Sequence, residues 1–379
     1  MIISHQSQAT QPVGTQNSDS AEPTLHERVA VLLAGYGEVQ SYRALSVYNQ
    51  AATKYIASQF VPIPEWLYPL AGWFLALQDL YNFGVKHDHF MSPENEIFEK
   101  QRLGIEEQLQ HQWGNNRVQV FKGFYFCQPF VQEVVTNIIE QGFQNLLIYP
   151  MLVVDSAFTG KIAVEQVNEV IAATASVNQP QNSTFKAIRY IPAFATETAY
   201  IDLMVRRIKE TLNQLCTGRF FESQIGIVLT VHGGPEKAQG LLTGVIDGQA
   251  LYDRVQAQLQ HQYPLVSIGW VNHDTPFINW SQPDLKQAAK SLITAGAQTI
   301  LFKPLGWVTD NYETILDVED AIQYLQRQYP TVTYTPLDCV NDDPDFLKIA
   351  AEWANPHIEA MLSVPQHHEH IQTRRLDFD

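Results

Sequence analysis

Residues 225–235 read IGIVLTVHGGP, and residues 29–39 read VAVLLAGYGEV. Each is a short, almost continuous apolar run that ends in a glycine turn. That pattern fits a strand buried on both faces, as in a parallel sheet. Laid on one another, the two stretches match in residue type, and His232 falls where Tyr36 falls. A second pair repeats the layout: TILFKPLGWVTD (Thr299 to Asp310) parallels NLLIYPMLVVD (Asn145 to Asp155), each a buried strand broken by proline.

Between these strands the polar and apolar spacing predicts helices over Asn95 to Gln112, Phe130 to Gln141, Lys161 to Ala173 and Thr196 to Cys216, with a further strand over Arg117 to Phe126. Strand and helix alternating in two similar halves predict an α/β chain. Each half is a doubly wound, Rossmann-like unit with a parallel sheet flanked by helices, and the halves face one another across a cleft. Ligands of such sheets lie beyond the carboxyl ends of the strands. The repeat therefore gathers Tyr36, His232 and the Trp307-to-Glu313 turn around one cleft. The expected divisions are a polar tail at 1–28, a first half at 29–177 with an apolar lip at about 60–90, and a polar linker at 178–184. A second half at 185–362 carries His232 and Glu313, and a polar tail follows at 363–379.

Composition excludes several classes. With 40 acidic against 24 basic residues the formal charge is −16, and such a surface repels phosphate backbones, so nucleic acid is not an expected partner. Cys127, Cys216 and Cys339 are far apart and form no C-x-x-C, which argues against a disulfide framework, a zinc knuckle or an iron–sulfur cluster. Residues 1–27 hold no Lys or Arg, unlike a secretory or transit signal, so a cytoplasmic chain is expected. The most apolar run, WLYPLAGWFLAL (Trp66 to Leu77), is interrupted by Pro69 and Gly72 and falls short of the roughly 20 residues a bilayer span takes. Its aromatics suit a greasy ligand or peripheral contact with a membrane; packing on the core or against a second copy explains them equally well.

Two residues stand out for chemistry. The glycines after His232 let the chain turn tightly and leave an imidazole uncovered, able to accept a proton near neutral pH or to bind a borderline metal ion. Glu313 opens a helix for which Thr309 or Asp310 is the expected N-cap, and helical spacing puts Glu313, Asp317 and Asp320 on one face. Neighbouring like charges there cost about 0.2–0.5 kcal/mol per pair. Such a row is either a file of acids guiding a cation or protons inward, or a solvated acidic face. The second reading suffices for Asp320.

Together these motifs resemble the ferrochelatase family, which inserts a divalent metal into a tetrapyrrole. LLAGYGEV looks like its opening strand and loop, SPENEIFEKQ its "GSP" turn and helix, and KGFYFCQPF its G-[MF]-R-[YW]-x-H-P-F segment. TVHGGP resembles the loop of the catalytic histidine, and IDGQALY and INWSQPDL are similar to stretches downstream of it. PLGWVTDNYETILDVED resembles P-x-x-F-x-x-D-H-x-E-T-L-x-E-x-D, with the second catalytic residue at Glu313. The resemblance spans roughly Val29 to Leu362.

It implies insertion of Fe²⁺ into a porphyrin, protoporphyrin IX or coproporphyrin, to make haem with loss of the pyrrole protons. His232 and Glu313 would be catalytic and metal-holding, with Asp317 at an outer metal site. Tyr36, Tyr125, Trp280 and Trp307 would contact the substrate. No redox or nucleotide cofactor is implied, although Mg²⁺ near Asp317 is a candidate, and the chain would be a monomer or homodimer. Several positions depart from the pattern. Asn311 replaces a histidine, Tyr125-Phe126-Cys127-Gln128 replaces Arg-Tyr-x-His and so removes an arginine suited to a propionate, and Thr230-Val231 precedes His232. YPMLVVDSAFTGK has little of the family's polar character there. A chelatase for another metal or tetrapyrrole, a non-catalytic tetrapyrrole-binding homologue and a two-lobed small-molecule binder are the rival readings.

Overall fold

The computed structural model describes residues 28–60, 63–177, 185–216, 219–236, 241–273 and 279–363. The first half runs β1 (Val29–Gly35), α1 (Leu45–Ala52), α2 (Ser58–Phe60), α3 (Tyr68–Asp79), α4 (Glu94–Trp113), β2 (Val118–Phe124), α5 (Val131–Glu140), β3 (Asn145–Pro150), α6 (Gly160–Val177) and β4 (Ala187–Tyr190). The second runs α7 (Thr198–Cys216), β5 (Ile225–His232), α8 (Val245–Leu259), β6 (Leu265–Val271), α9 (Leu285–Thr294), β7 (Thr299–Pro304), α10 (Val318–Gln328), β8 (Thr333–Pro336) and α11 (Pro344–Leu362). The strands form two four-stranded parallel sheets of identical order, β2-β1-β3-β4 and β6-β5-β7-β8.

The apolar runs explain this order. β1 is buried at every position, β5 at every position before His232, and β3 and β7 throughout. A strand with no polar face must have helices on both sides, as only a parallel sheet with crossover helices provides. Matching registers then set the ends level: Gly35 pairs with Phe124, and His232 with Val271.

One expected boundary moves. The expected second half at 185–362 takes in the stretch AIRYIP (Ala187 to Pro192), but β4 hydrogen-bonds to β3 and completes the first sheet, the counterpart of β8 in the second. The linker at 178–184 and most of both tails lie outside the described residues.

The halves share a core. α11 returns across the first half, where Tyr149 Oη donates to Ala350 O at 3.0 Å and Trp113 Nε1 to Asn355 Oδ1 at 2.9 Å. Buried Gln101 of α4 donates to Val308 O and Asn341 O of the second half at 3.0 and 2.9 Å. Phe346 of α11 is fully buried against the rings of Phe194 and Tyr200. Within the lip, α3 lies on α1 through Gly72, where a side chain would meet the Gln50 backbone at 2.6 Å. Trp73 and Phe74 of α3, with Trp66 before it and Tyr81 after it, are exposed. No described helix is long and apolar enough to cross a membrane.

Because Phe346 of α11 is fully buried among the rings of Phe194 and Tyr200, Phe346→Ala should lower the unfolding free energy by about 3–5 kcal/mol. Urea denaturation checks this; a loss below about 1 kcal/mol would mean that this ring cluster does not hold α11 in place.

Candidate active site

Three neighbouring strands of the second sheet deliver three metal-binding groups to one point. His232 ends central β5, His273 lies just beyond β6, and Glu313 follows β7. Neighbouring strands lie about 4.8 Å apart, so side chains at level ends converge. His232 Nε2 stands 3.3 Å from His273 Nε2 and 3.4 Å from Glu313 Oε1, and His273 Nε2 lies 3.6 Å from that same oxygen. Around an ion with bonds of about 2.0–2.1 Å, tetrahedral ligands lie roughly 3.4 Å apart. The three atoms therefore outline one face of a tetrahedron and leave a fourth position for another ligand.

The surroundings orient each donor. His232 Nδ1 contacts Gly233 O at 2.6 Å; as an N–H donor there it leaves the Nε2 lone pair for the triangle, the usual arrangement of a metal-ligating imidazole. Glu313 is 8% exposed and accepts from Trp307 Nε1 at 3.2 Å and Tyr312 Oη at 3.3 Å. Burial alone would raise its pKa. The positive field and hydrogen bond of His232, helped by His273 and Tyr312, overcome that and bring Glu313 down to about 2. His232 shifts the other way: burial disfavours its charged form, but the Glu313 carboxylate, Gly233 O and Asp317 together hold it above the ordinary imidazole value.

The backbone carrying Glu313 differs from the expected α-helix. Asn311 is the cap, not Thr309 or Asp310: its Oδ1 accepts from Thr314 N at 3.0 Å while its own N–H donates to Thr314 Oγ1 at 2.9 Å. Asp310 instead serves the loop after β8, accepting from Cys339 N and from Asn341 Nδ2. Glu313–Asp317 then forms a π-helical turn, a form often found at functional sites. Asp317 sits at the end of that turn. Burial, with Glu313 and Asp320 adding to it, raises Asp317 to about 7. Asp320 lies further out, paired with Lys86 at 2.5 Å and within 3.8 Å of His87 Nε2. The Lys86-to-His89 segment is thereby tied through Asp320 to the second half.

The aromatic candidates take unequal positions. Trp280 stands edge-on to His273 at 5.4 Å and lines a cavity of about 700 Å³ with Trp270, Glu236, Asp284, Asp317 and Asp320. Trp307 is buried and acts on Glu313. Tyr36 comes from the opposite half, donating its hydroxyl to Phe158 O at 2.6 Å; burial and the facing charges of Glu313 and Glu94 push its pKa up. Tyr125 is fully buried behind Tyr36, at 5.7 Å between rings, and so is not placed to touch a ligand.

Sequence reasoning missed His273. It follows β6 in VNHDTP with no glycine turn to mark it. The available signal was positional: it lies two residues past Val271, the register partner of His232, and alternate residues share a face.

The family model described as Ferrochelatase matches residues 28–358. The chain belongs to the ferrochelatase family. Its relatives include the Ferrochelatase of Trichodesmium erythraeum, 22% identical over 79% of this chain and 75% of that one. Another is the Coproporphyrin III ferrochelatase of Nocardia farcinica, 22% identical over 72% of this chain and 77% of that one. Among solved structures, the sirohydrochlorin chelatase SirB from Bacillus subtilis in complex with cobalt is similar at a TM-score of 0.47 and 12% identity, covering 89% of this chain and 97% of its own. The family is one of metal chelatases acting on tetrapyrroles.

Two measurements probe the triangle. Trp307→Phe removes the indole donor to Glu313 and should weaken Co²⁺ binding about 10–100-fold in a direct titration; an unchanged affinity would make the indole mere packing. Since His232 is held above the ordinary imidazole value, protons compete with the metal up to a correspondingly higher pH. Co²⁺ affinity, followed over roughly pH 6 to 9, should rise with pH until His232 has lost its proton and then level off.

Proposed function

We propose that this chain inserts Fe²⁺ into a porphyrin of the protoporphyrin type, with His232 and Glu313 at the centre and His273 as a third metal donor. The observation that carries the reading is the triangle of donor atoms, with edges of 3.3 to 3.6 Å, beside a cavity of about 700 Å³. A cavity of that size lies within the range of small-molecule sites.

The two central residues divide the work by their pKa shifts. Glu313, lowered to about 2, is a poor proton acceptor but a permanent negative charge for an incoming cation. His232, raised, is the better base, and its Nε2, freed once the ion has passed to the ring, is the atom that would take a pyrrole proton. Asp317, held at about 7, is matched to receive that proton and release it outward. Bending the ring to expose its nitrogen lone pairs draws on binding energy from its apolar edge. Tyr36 on the facing half and Trp280 beside His273 are the aromatic groups suited to that edge. The exposed face of α3 would serve either the entering macrocycle or the interfacial layer of a bilayer.

The rim of the cavity bears on which tetrapyrrole is taken. Among the described residues, Glu236, Asp284, Asp317 and Asp320 line it, with Lys286 as the cation facing them. Such a rim disfavours a ligand rich in carboxylates, ordering the candidates as protoporphyrin before coproporphyrin before sirohydrochlorin. No resident cofactor enters this scheme, and a divalent ion at Asp317 and Asp320 would have to displace Lys86. The second imidazole favours one alternative within the class: two histidines and a carboxylate suit Co²⁺ and Ni²⁺ as well as Fe²⁺.

Incubating the chain with each of the three tetrapyrroles and each of Fe²⁺, Co²⁺ and Ni²⁺ tests the reading by the absorption change on metallation. His232→Ala should abolish insertion while leaving the circular dichroism unchanged. Near-normal turnover by that variant would refute the assignment, and tight porphyrin binding by the wild type without metallation would make the chain a non-catalytic binder.

A further inference from the structure

The first half carries two buried acids that the chemistry above does not use. Glu38 follows the β1 turn and Glu94 opens α4; they are 6% and 5% exposed. Among the described residues no Lys, Arg or His acts on either. Asn95, next in sequence to Glu94, holds the Glu38 backbone, its Oδ1 accepting from Glu38 N and its Nδ2 donating to Glu38 O, both at 2.8 Å. Glu94 Oε1 accepts from Gly37 N at 3.4 Å, and Glu38 Oε1 from Tyr312 N at 3.2 Å, a bond that crosses between the halves beside Glu313. Glu38 Oε2 is buried without a hydrogen-bond partner.

A carboxylate oxygen so placed is costly unless its group carries a proton, and carboxylates sharing one site cannot both stay ionised. The groups packed around them offer no relief. Tyr36, Tyr48 and Cys127 are all held above their ordinary values, chiefly by burial, which leaves them neutral. Glu313, and Asp79 beyond Tyr48, add only negative charge, while Lys122 reaches no further than Cys127. Burial and the Glu94 charge lift Glu38 well above the carboxylate range, against the weaker pull of Ser92 and the Tyr312 amide. Burial, reinforced by Glu313, takes Glu94 up to about 7.

We propose that Glu38 and Glu94 hold one proton between them and surrender it when a divalent cation occupies the His232–His273–Glu313 triangle. This rests on the metal-binding reading of that triangle and extends it to the opposite half. The step balances in charge: the pair passes from one negative charge to two, and the proton leaves to the buffer. An ionised Glu38 is also the stronger acceptor for Tyr312 N, so the cation draws the first half against the turn that bears Glu313.

The test uses the whole chain, Co²⁺ and no tetrapyrrole. Calorimetric titration near neutral pH, in buffers of different ionisation enthalpy, gives the protons released per Co²⁺ bound. Glu94→Gln, with Glu38→Gln as a second variant, should release fewer than the wild type, by up to about one. Infrared difference spectra of the wild type, which need no variant, should show a buried carboxylic-acid band that disappears on adding Co²⁺. Equal proton counts in wild type and variants, or no such band, overturn the pair while leaving the triangle intact. A wild type that binds no Co²⁺ overturns the triangle and the linkage together.

Discussion

The constraint on which the site depends is a carboxylate that stays charged while almost wholly removed from water. Burying an unpaired anion is costly, so the group must either be neutralised or find positive partners. Glu313 finds them in two imidazoles whose nitrogens lie 3.4 and 3.6 Å from one oxygen, while indole and phenol donors hold the carboxyl group from other sides. The partners come from β5, the neighbour of β7, and from β6 on its far side, in one parallel sheet, which is why the sheet order matters more to this site than any loop. An antiparallel arrangement would send alternate strand ends to opposite edges and separate the donors.

That arrangement is poised for a cation. Without metal, the triangle depends on proton sharing among groups that repel or attract according to how many protons they hold; a divalent ion replaces that sharing with direct coordination. Asp317 and Asp320 continue the row of acids outward along one side, and Glu38 and Glu94 add two more on the first half, with burial holding Asp317, Glu38 and Glu94 above the ordinary carboxylate range. Acids far outnumber bases throughout this region. The arrangement weakens the metal-free fold through repulsion and burial, a cost natural to a site whose ligand is positive.

Much of this was legible in the sequence, for physical reasons that can be named. A strand with no polar face has few alternatives to a parallel sheet, so VAVLLAG and IGIVLTV declared both the fold and its repetition. The glycines after Tyr36 and His232 then marked the strand ends where ligands gather. What could not be read depended on tertiary competition. AIRYIP was short and half polar, and only the free edge of β3 decided which sheet it joined. Asn311 outcompeted Asp310 as a cap because Asp310 was already engaged by Cys339 and Asn341, residues some thirty positions away. His273 had no local signature at all, since its role is created by the register between β5 and β6.

The departures from the family pattern acquire a common meaning once Tyr125 is located. The segment Tyr125 to Gln128, where an arginine and a histidine would be expected, turns its first ring into the core behind Tyr36 and places Cys127 beside Asn95. Burial raises that thiol to about 12, so it is neither a metal ligand nor a base at ordinary pH. This segment therefore adds neither a positive charge nor a metal donor to the facing half. On the other side, His273 stands with His232 and Glu313. Donors for the metal are thus gathered on one sheet, and the opposing wall is left to Tyr36 and the carboxyl groups behind it. On the proposed reading, such a division would let the ion be held from one face while the macrocycle approaches from the other.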